Sequence, residues 1–296
     1  MDNKAEVRDF LSTRRDRITP EQAGIIGGGR RRLPGLRREE VAMLAGMSSD
    51  YYAKMERGNL AGVSPEVLDA LARALRLDEA ETEHLHDLAR AANPAPSRRR
   101  SRPAQATVRP SLQRFLDAIT GAPAWIVDQR ADILATNPLA RALLAPLLKD
   151  PDARNNSARF IFLSPAARTF YPQWEQAADA SAANLRTSAG RNPRDKALTD
   201  LIGELAARSD AFSSRWSAHA VRLHRTGTKH IHHPDVGDLA FVYEGVELPG
   251  QPGWMLYTYT SVAGSPTEDR VSLLGSLAAT RADERATARA RRPDDL

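Results

Sequence analysis

The sequence predicts an all-α domain followed by an α+β domain, the second built on an antiparallel sheet with a helical insertion. Apolar residues before position 120 recur at helical spacings of three and four, and no segment there alternates as a strand does. Residues 93–110 hold four prolines and five arginines, with Val108 as their single large apolar residue, so they cannot bury a core. From Val221 onward, strand-length segments are separated by turns.

The 296-residue chain exceeds the usual length of one domain, so two cores are expected. We place an all-α domain at 1–92, a Pro/Arg-rich linker at 93–107, the α+β domain at 108–265, and a terminal helix with a charged tail at 266–296. No apolar run approaches the roughly 18 residues of a membrane span, so we expect a cytoplasmic protein without a membrane partner. The absence of cysteine excludes disulfides, thiolate nucleophiles and sulfur-ligated metals, and we expect no cofactor.

The cationic residues are mostly arginine and are unevenly placed. Arg outnumbers Lys 37 to 5, although the net charge is only +5. Five arginines and no acidic residue lie between Gly27 and Arg38. Because a guanidinium group can pair with phosphate through two parallel hydrogen bonds, this basic patch favours a polyanionic partner.

Five helices are predicted in the first domain, one of which, after Ser48, is described below. Three of them carry apolar residues at helical spacing: Val7, Phe10 and Leu11; Val41, Leu44 and Ala45; and Val67, Leu68, Leu71 and Leu75. A further helix begins near Asp78, because the acidic residues of its first turn suit the positive end of a helix dipole.

Two short helices joined by a tight turn stand in the middle of this domain. Arg37 to Ala45 supplies the first helix, and Gly46 permits a turn that other residues disfavour. Ser48 can cap the second helix, which reaches Arg57 before Gly58 ends it. Flanked by helices that build a small core, this helix-turn-helix pattern would place its second helix in a DNA major groove.

The run from Arg31 to Gly58 resembles the Xre/Cro-type DNA-binding domain of the MmyB-like transcriptional regulators of actinobacteria. The resemblance continues past the linker in Pro123–Val127, Leu134–Ala140, Arg154–Asn155, Tyr171–Trp174, Leu185–Arg186, Trp216–His219 and His233–Gly237. Thr136 stands where members of the family often have tryptophan. The resemblance implies a PAS-like second domain that binds a fatty-acyl or similarly apolar small molecule.

The second helix of the pair would contact the bases. Its apolar residues should face the core, while arginines at the helix ends grip phosphates without specifying sequence. Asp50 either accepts from a cytosine amine or serves the first turn of the helix. We expect Glu40 and Glu56 to pair with arginines of the domain. The residues predicted to contact double-stranded DNA are Arg30, Arg31, Arg32, Arg37, Arg38, Ser48, Ser49, Asp50, Tyr51, Ala53, Lys54 and Arg57.

The second domain opens with a predicted hairpin, Trp125–Val127 and Ile133–Ala135, after which Asn137 caps a helix through Leu148. Helices follow between Ala158 and Arg215. The later strands are predicted at Val221–His224, Lys229–His232, Asp238–Leu248 and Trp254–Val262, with a turn at Thr226-Gly227. A helix from Glu268 to Ala279 precedes a charged tail that begins at Arg281, and we expect this tail to be disordered.

Trp125, Trp174 and Trp216 lie in this domain with several other aromatic residues. Core packing is the ordinary role of any one of them, but a sheet wrapped by a helical insertion can enclose a pocket. Asn137, Arg154 and Asn155 are candidate polar anchors, although Asn137 also caps a helix. The candidate ligand-binding residues are Trp125, Asn137, Arg154, Asn155, Phe160, Phe170, Trp174, Trp216, Phe241, Met255 and Tyr257.

Two other functions stay open. His230 and His232 suggest a metal site, because alternate residues of a strand share a face, and a metal-assisted hydrolase would use it. The carboxylates that could complete such a site, Asp235 and Asp238, lie beyond a turn. The second alternative is a DNA-binding adaptor whose C-terminal domain binds a protein. We favour a non-enzymatic regulator that acts as a homodimer on paired half-sites.

Overall fold

A computed structural model describes residues 3–25, 34–93, 108–218 and 226–290. The chain divides into two compact units, Met1–Ser101 with Ala182–Leu223 and Arg102–Ser181 with His224–Leu296. A helical N-terminal region precedes a five-stranded antiparallel sheet with helices of its own, which confirms the predicted order of the two fold classes. The first unit also takes a segment from the second half of the chain.

The N-terminal part of the first unit consists of helices α1 (Asn3–Arg17), α2 (Arg38–Leu44), α3 (Ser49–Glu56), α4 (Pro65–Ala74) and α5 (Glu79–Ala92). Their apolar stripes share one core, in which Phe10 and Tyr52 are fully buried. The helix predicted from the spacing of Val41, Leu44 and Ala45 is present as α2, although Leu44 is 38% exposed. The buried stripe of α2 is centred on Val41 and Ala42, which leaves Leu44 at its edge.

The start of α5 is fixed at the predicted residue, Asp78. Its carboxylate accepts from the Glu81 N–H at 2.8 Å, and the Glu81 carboxylate accepts from the Asp78 N–H at 3.2 Å. This reciprocal pair satisfies N–H groups that a helix N-terminus leaves without an intrahelical partner.

The second unit is built on one sheet with strand order β2-β1-β5-β4-β3, in which every pair is antiparallel. Its strands are β1 (Ala124–Val127), β2 (Ile133–Thr136), β3 (Thr226–His233), β4 (Gly237–Glu247) and β5 (Met255–Thr260). Side chains along β4 alternate in exposure, and Leu239, Phe241 and Tyr243 are buried. One face of the sheet is therefore aromatic.

The opposite face is covered at β1 and β5 by α6 (Pro110–Asp117), whose Leu116 packs with Ile126 and Leu256. The other helices of the second unit are α7 (Pro138–Leu143), α8 (Ala145–Leu148), α9 (Ser157–Leu163), α10 (Ala166–Phe170), the start of α11 (Trp174–Arg191), and α14 (Pro266–Ala290). The end of α11 belongs to the first unit, together with α12 (Lys196–Arg208) and α13 (Asp210–Ser217).

The single helix predicted from Asn137 through Leu148 is interrupted at Leu144. Pro146 lacks the N–H that would bond to the Ala142 carbonyl four residues earlier, so the helical ladder is broken there. The imidazole of His233 donates to that carbonyl through Nε2 at 3.2 Å. The break therefore gives a partner to a side chain of β3.

Strand β3 is longer than predicted. Thr226 and Gly227, which were expected to form a turn, lie within it opposite Glu244 and Tyr243. Pairing with the long strand β4 overrides the turn preference of these two residues. The strand predicted at Val221–His224 lies outside the described residues.

The terminal helix α14 is also longer than predicted. The tail expected to be disordered from Arg281 is helical through Ala290, so that expectation is wrong for these residues. The guanidinium of Arg281 donates two hydrogen bonds to the Asp235 carboxylate, at 2.7 and 3.0 Å, which holds this part of the helix to the β3–β4 turn. Residues 291–296 lie outside the described part of the chain.

Asn137 is fully buried, and all four hydrogen-bonding positions of its amide are used. Its Oδ1 accepts from the N–H groups of Ala124 and Ala140 at 3.1 and 2.7 Å. Its Nδ2 donates to the carbonyls of Ile119 and Ala122 at 2.7 and 2.8 Å. One side chain thus joins the start of the sheet to the start of α7.

We expect Asn137→Ala to destabilise the second unit by about 3 kcal/mol, because four backbone groups, two of them buried and two partly buried, would lose their partner. Urea unfolding followed by tryptophan fluorescence measures this loss. Asn192→Ala is the matched control, because its Nδ2 makes a 3.2 Å bond to the Ser188 carbonyl at a partly exposed helix end. Equal shifts of the two unfolding midpoints would contradict the role assigned to Asn137.

Candidate nucleic-acid interface and ligand pocket

The turn between α2 and α3 is built by Gly46, whose φ of +66° lies in the left-handed region. The N–H of Met47 donates to the Ala42 carbonyl at 2.9 Å, which closes the end of α2. The Ser48 hydroxyl then accepts from the Tyr51 N–H at 3.2 Å and begins α3. The sequence therefore folds locally into the predicted helix-turn-helix connection.

One side of α3 packs on the core, where Tyr52 and Met55 are fully buried, and the other side faces solvent. The residues predicted to contact DNA that are exposed are Ser48, Ser49, Asp50, Lys54, Arg57 and, at the start of α2, Arg37 and Arg38. Ala53 is half-buried, and Tyr51 packs partly against the core. Arg30, Arg31 and Arg32 lie outside the described residues.

Glu56 is a buried acid that fixes α3 to two other helices. Its carboxylate accepts from Arg15 Nε of α1 at 2.7 Å, from Arg38 Nε of α2, and from the Tyr52 hydroxyl at 3.4 Å. Burial alone would raise the pKa of Glu56, but the hydrogen bonds and charges of the two arginines outweigh it and hold the pKa below its usual value. The expected pairing of Glu56 with arginines is confirmed.

Two further contacts set the ends of the helix pair. The Glu40 carboxylate accepts from the backbone N–H of Arg37 at 2.7 Å and so caps α2. Gly58, just after α3, has a φ of +95°, and a Cβ there would lie 2.4 Å from the Lys4 carbonyl oxygen. Glycine therefore allows the end of α3 to approach the backbone of α1.

The aromatic face of the sheet carries four of the candidate ligand-binding residues: Trp125, Phe241, Met255 and Tyr257. Sequence reasoning missed Tyr243 and Tyr259, which lie on the same face. The Tyr259 ring centroid is 4.6 Å from that of Trp125 and 5.5 Å from that of Phe241. The two-residue spacing from Tyr257 in β5 was the signal that could have identified Tyr259.

Two other candidates, Phe160 and Phe170, form a cluster with Tyr171. The ring centroids of Phe160 and Phe170 lie 5.6 Å apart, and those of Phe170 and Tyr171 lie 4.9 Å apart. Trp174 follows in sequence, and its indole Nε1 donates to the Ile161 carbonyl at 2.9 Å. The indole of Trp174 is therefore held by α9.

Trp216 belongs to the first unit, whereas the residues of the aromatic face belong to the second. Its ring stacks on Phe212 with centroids 5.5 Å apart, and the Arg186 guanidinium lies 4.0 Å from its ring centre. These contacts give Trp216 a packing role among α11 and α13.

None of the three predicted polar anchors lies on the aromatic face with a free polar group. Arg154 and Asn155 are exposed on a turn, with φ values of +48° and +58°, and the amide of Asn137 is fully used by backbone groups. The neighbouring Asn156, which sequence reasoning missed, is the buried amide here. Its Nδ2 donates to the Arg130 carbonyl at 2.7 Å and to Asp132 Oδ1 at 2.8 Å. Its place just before α9 is an N-cap signal that could have identified it.

The histidines of β3 point to both faces of the strand. His230 and His232 are exposed, while His233 is buried, and burial lowers the pKa of His233. The hairpin brings Asp238 opposite His232, with Nδ1 and Oδ1 2.6 Å apart. Within the described ranges, no group of three or more His, Cys, Asp or Glu side chains is arranged to hold a metal ion.

None of the described helices has the length and apolar composition of a membrane-spanning segment.

Residues 11–85 match a family of helix-turn-helix domains, and residues 108–274 match the MmyB-like transcription regulator ligand binding domain. A comparison with curated proteins finds no match. Because the second match spans more than half of the chain and follows a helix-turn-helix domain, this protein belongs to the MmyB-like transcription regulators.

Proposed function

We propose that this regulator binds specific DNA sequences through α3 and senses a small apolar, fatty-acyl-like molecule with its second domain. It acts in the cytoplasm as a homodimer, because paired half-sites call for two copies of α3. The exposed side of α3, with Lys54 and Arg57, supports contacts to bases and phosphates. The aromatic face of the sheet supports an apolar ligand.

The observation that carries this proposal is the packing of Arg186. This residue lies within the segment that matches the ligand binding domain, yet it belongs to the compact unit of the DNA-binding helices. Its side chain is 1% exposed and forms an ion pair with Glu6 of α1. It also donates to the Trp216 carbonyl. The ligand binding segment thereby contributes part of the support of the helix-turn-helix.

A second set of contacts joins the end of α11 to α5. Arg191 Nε donates to Asp87 Oδ2 at 2.8 Å, and Arg191 also pairs with Glu83. At Gly190 an added Cβ would lie 2.6 Å from the His84 ring, so the two helices approach each other closely there.

Helix α11 starts in the second unit and ends in the first. We infer that the ligand favours one of two arrangements of this helix and that Arg186 and Arg191 carry the choice to the DNA-binding helices. Such coupling is typically ~1–3 kcal/mol, and it is limited by the difference in ligand affinity between the two arrangements.

The first prediction from this proposed function separates base contacts from phosphate contacts. Lys54→Ala should lower the preference for a selected operator over random DNA by about tenfold or more, because Lys54 lies on the base-facing side of α3. Arg37→Ala should weaken both kinds of binding alike. The operator is first selected from a random DNA pool, and both affinities are then measured by fluorescence anisotropy, with Arg208→Ala as a control. Identical behaviour of the Lys54 and Arg37 variants would contradict this division.

The second prediction concerns salt. Binding releases counterions from the phosphates that the protein neutralises, so the logarithm of the affinity should fall linearly with the logarithm of the salt concentration. Arg37→Ala should reduce that slope by about 1. A nearly flat salt dependence of the wild-type protein would count against DNA binding through this surface.

The third prediction tests the coupling through Arg186. Arg186→Ala leaves Glu6 buried without its cation, a change that costs about 3–5 kcal/mol for a fully buried pair. Hydrogen exchange of α12 and α13 should therefore accelerate by about 100-fold or more, since each 1.4 kcal/mol corresponds to about a factor of ten. The change in DNA affinity caused by dodecanoate should disappear at the same time. The matched control is Arg208→Ala, which removes an exposed 3.1 Å pair with Glu204 on α12.

The two measurements separate the parts of this hypothesis. Unchanged exchange in α12 and α13 of Arg186→Ala would show that the ion pair does not hold the segment. Faster exchange with an intact response to dodecanoate would leave the packing role and remove the coupling. Glu6→Gln, which keeps the shape of the side chain and loses its charge, should give the same pattern as Arg186→Ala.

A further inference from the structure

Lys229 lies on the aromatic face of the sheet. It stands directly opposite Phe241 in the β3–β4 pairing, so the two side chains point to the same side. Its Nζ lies 4.7 Å from the centre of the Tyr171 ring. Two residues earlier, a Cβ at Gly227 would lie 3.0 Å from the Tyr243 hydroxyl, so the glycine leaves room for this hydroxyl over β3, next to Lys229.

A cation removed from water is ordinarily paired with an acid, but the described neighbours of the Lys229 ammonium group are aromatic. Burial lowers its pKa to about 8, and no acid among the described residues offsets this effect. A desolvated charge without a counter-ion raises the free energy of the folded protein. The side chain is nevertheless partly exposed, so a small molecule can reach it.

Neither Tyr171 nor the tyrosines of the aromatic face can neutralise this charge. Burial raises the pKa of Tyr257 to about 12 and also raises the pKa values of Tyr171 and Tyr259, so these hydroxyls stay protonated at neutral pH. A neutral phenol can donate a hydrogen bond to an anion. The aromatic face therefore combines neutral donors and apolar rings with a partly exposed cation that no acid among the described residues offsets.

We propose that Lys229 anchors the ligand by binding a monoanionic carboxylate head group, while the apolar chain of the ligand packs against Trp125 and Phe241. This proposal rests on the proposed function, since it names the head group that the ligand site accepts. One ammonium group balances the single charge of a carboxylate, whereas a phosphate dianion would leave a buried negative charge.

The test is calorimetric titration of the full-length protein with dodecanoate, with dodecanol of equal chain length, and with acetate. Wild-type protein should bind dodecanoate at least tenfold more tightly than dodecanol, and acetate weakly, because acetate lacks the chain. Lys229→Met keeps the length of the side chain and removes its charge, so the ratio of the two affinities should fall to about 1. Arg154→Ala, which removes an exposed cation, should keep the wild-type ratio.

The outcomes distinguish the anchor from the ligand class. A wild-type ratio in Lys229→Met overturns the anchor while an apolar ligand still binds. Absence of binding of both dodecanoate and dodecanol to the wild-type protein overturns the proposed ligand class, and the anchor with it. The melting temperature of unliganded Lys229→Met should equal or exceed that of the wild type, because the variant removes a desolvated charge that no acid among the described residues offsets. A lower melting temperature means that Lys229 has a structural partner and overturns the proposal.

Discussion

The buried guanidinium of Arg186 needs hydrogen-bond acceptors, and the helices of the first unit are packed so that they supply them. A cation that is 1% exposed is tolerated only if acceptors surround it, and Glu6 of α1 and the Trp216 carbonyl of α13 supply them. Helix α1 in turn holds α3 through Arg15 and Glu56. Charged contacts thus run from α11 through α1 to α3, since Arg186 pairs with Glu6 and Arg15 pairs with Glu56.

Buried charges serve two different purposes in this protein. Arg186 and Glu56 are paired, and both join helices that are distant in sequence. Lys229 is also desolvated, but among the described residues its ammonium group contacts an aromatic ring and no acid offsets its burial. A desolvated charge without an acidic partner is a feature expected of a binding site, where a ligand can supply that partner.

Local signals in the sequence were sufficient to predict the helix-turn-helix, because Gly46, Ser48 and Asp78 act within one turn of their own position. The contacts of Arg186 with Glu6 span 180 residues, and no local pattern marks such a pair. The aromatic face of the sheet was only partly predictable for the same reason. Strand alternation identifies Tyr257 and its neighbours, whereas Arg154 was drawn from a family resemblance and lies on an exposed turn.

The first unit is assembled from two segments that are made at different times during translation. A ribosome releases α1 to α5 long before it makes α11, since Asp87 and Arg191 are 104 residues apart. During that interval Glu6 lacks Arg186 and Asp87 lacks Arg191, although Asp87 keeps its pair with Arg90 of α5. The DNA-binding helices therefore reach their full stability only after the ligand binding segment has been translated, so a message truncated after residue 93 encodes a weakened helix-turn-helix.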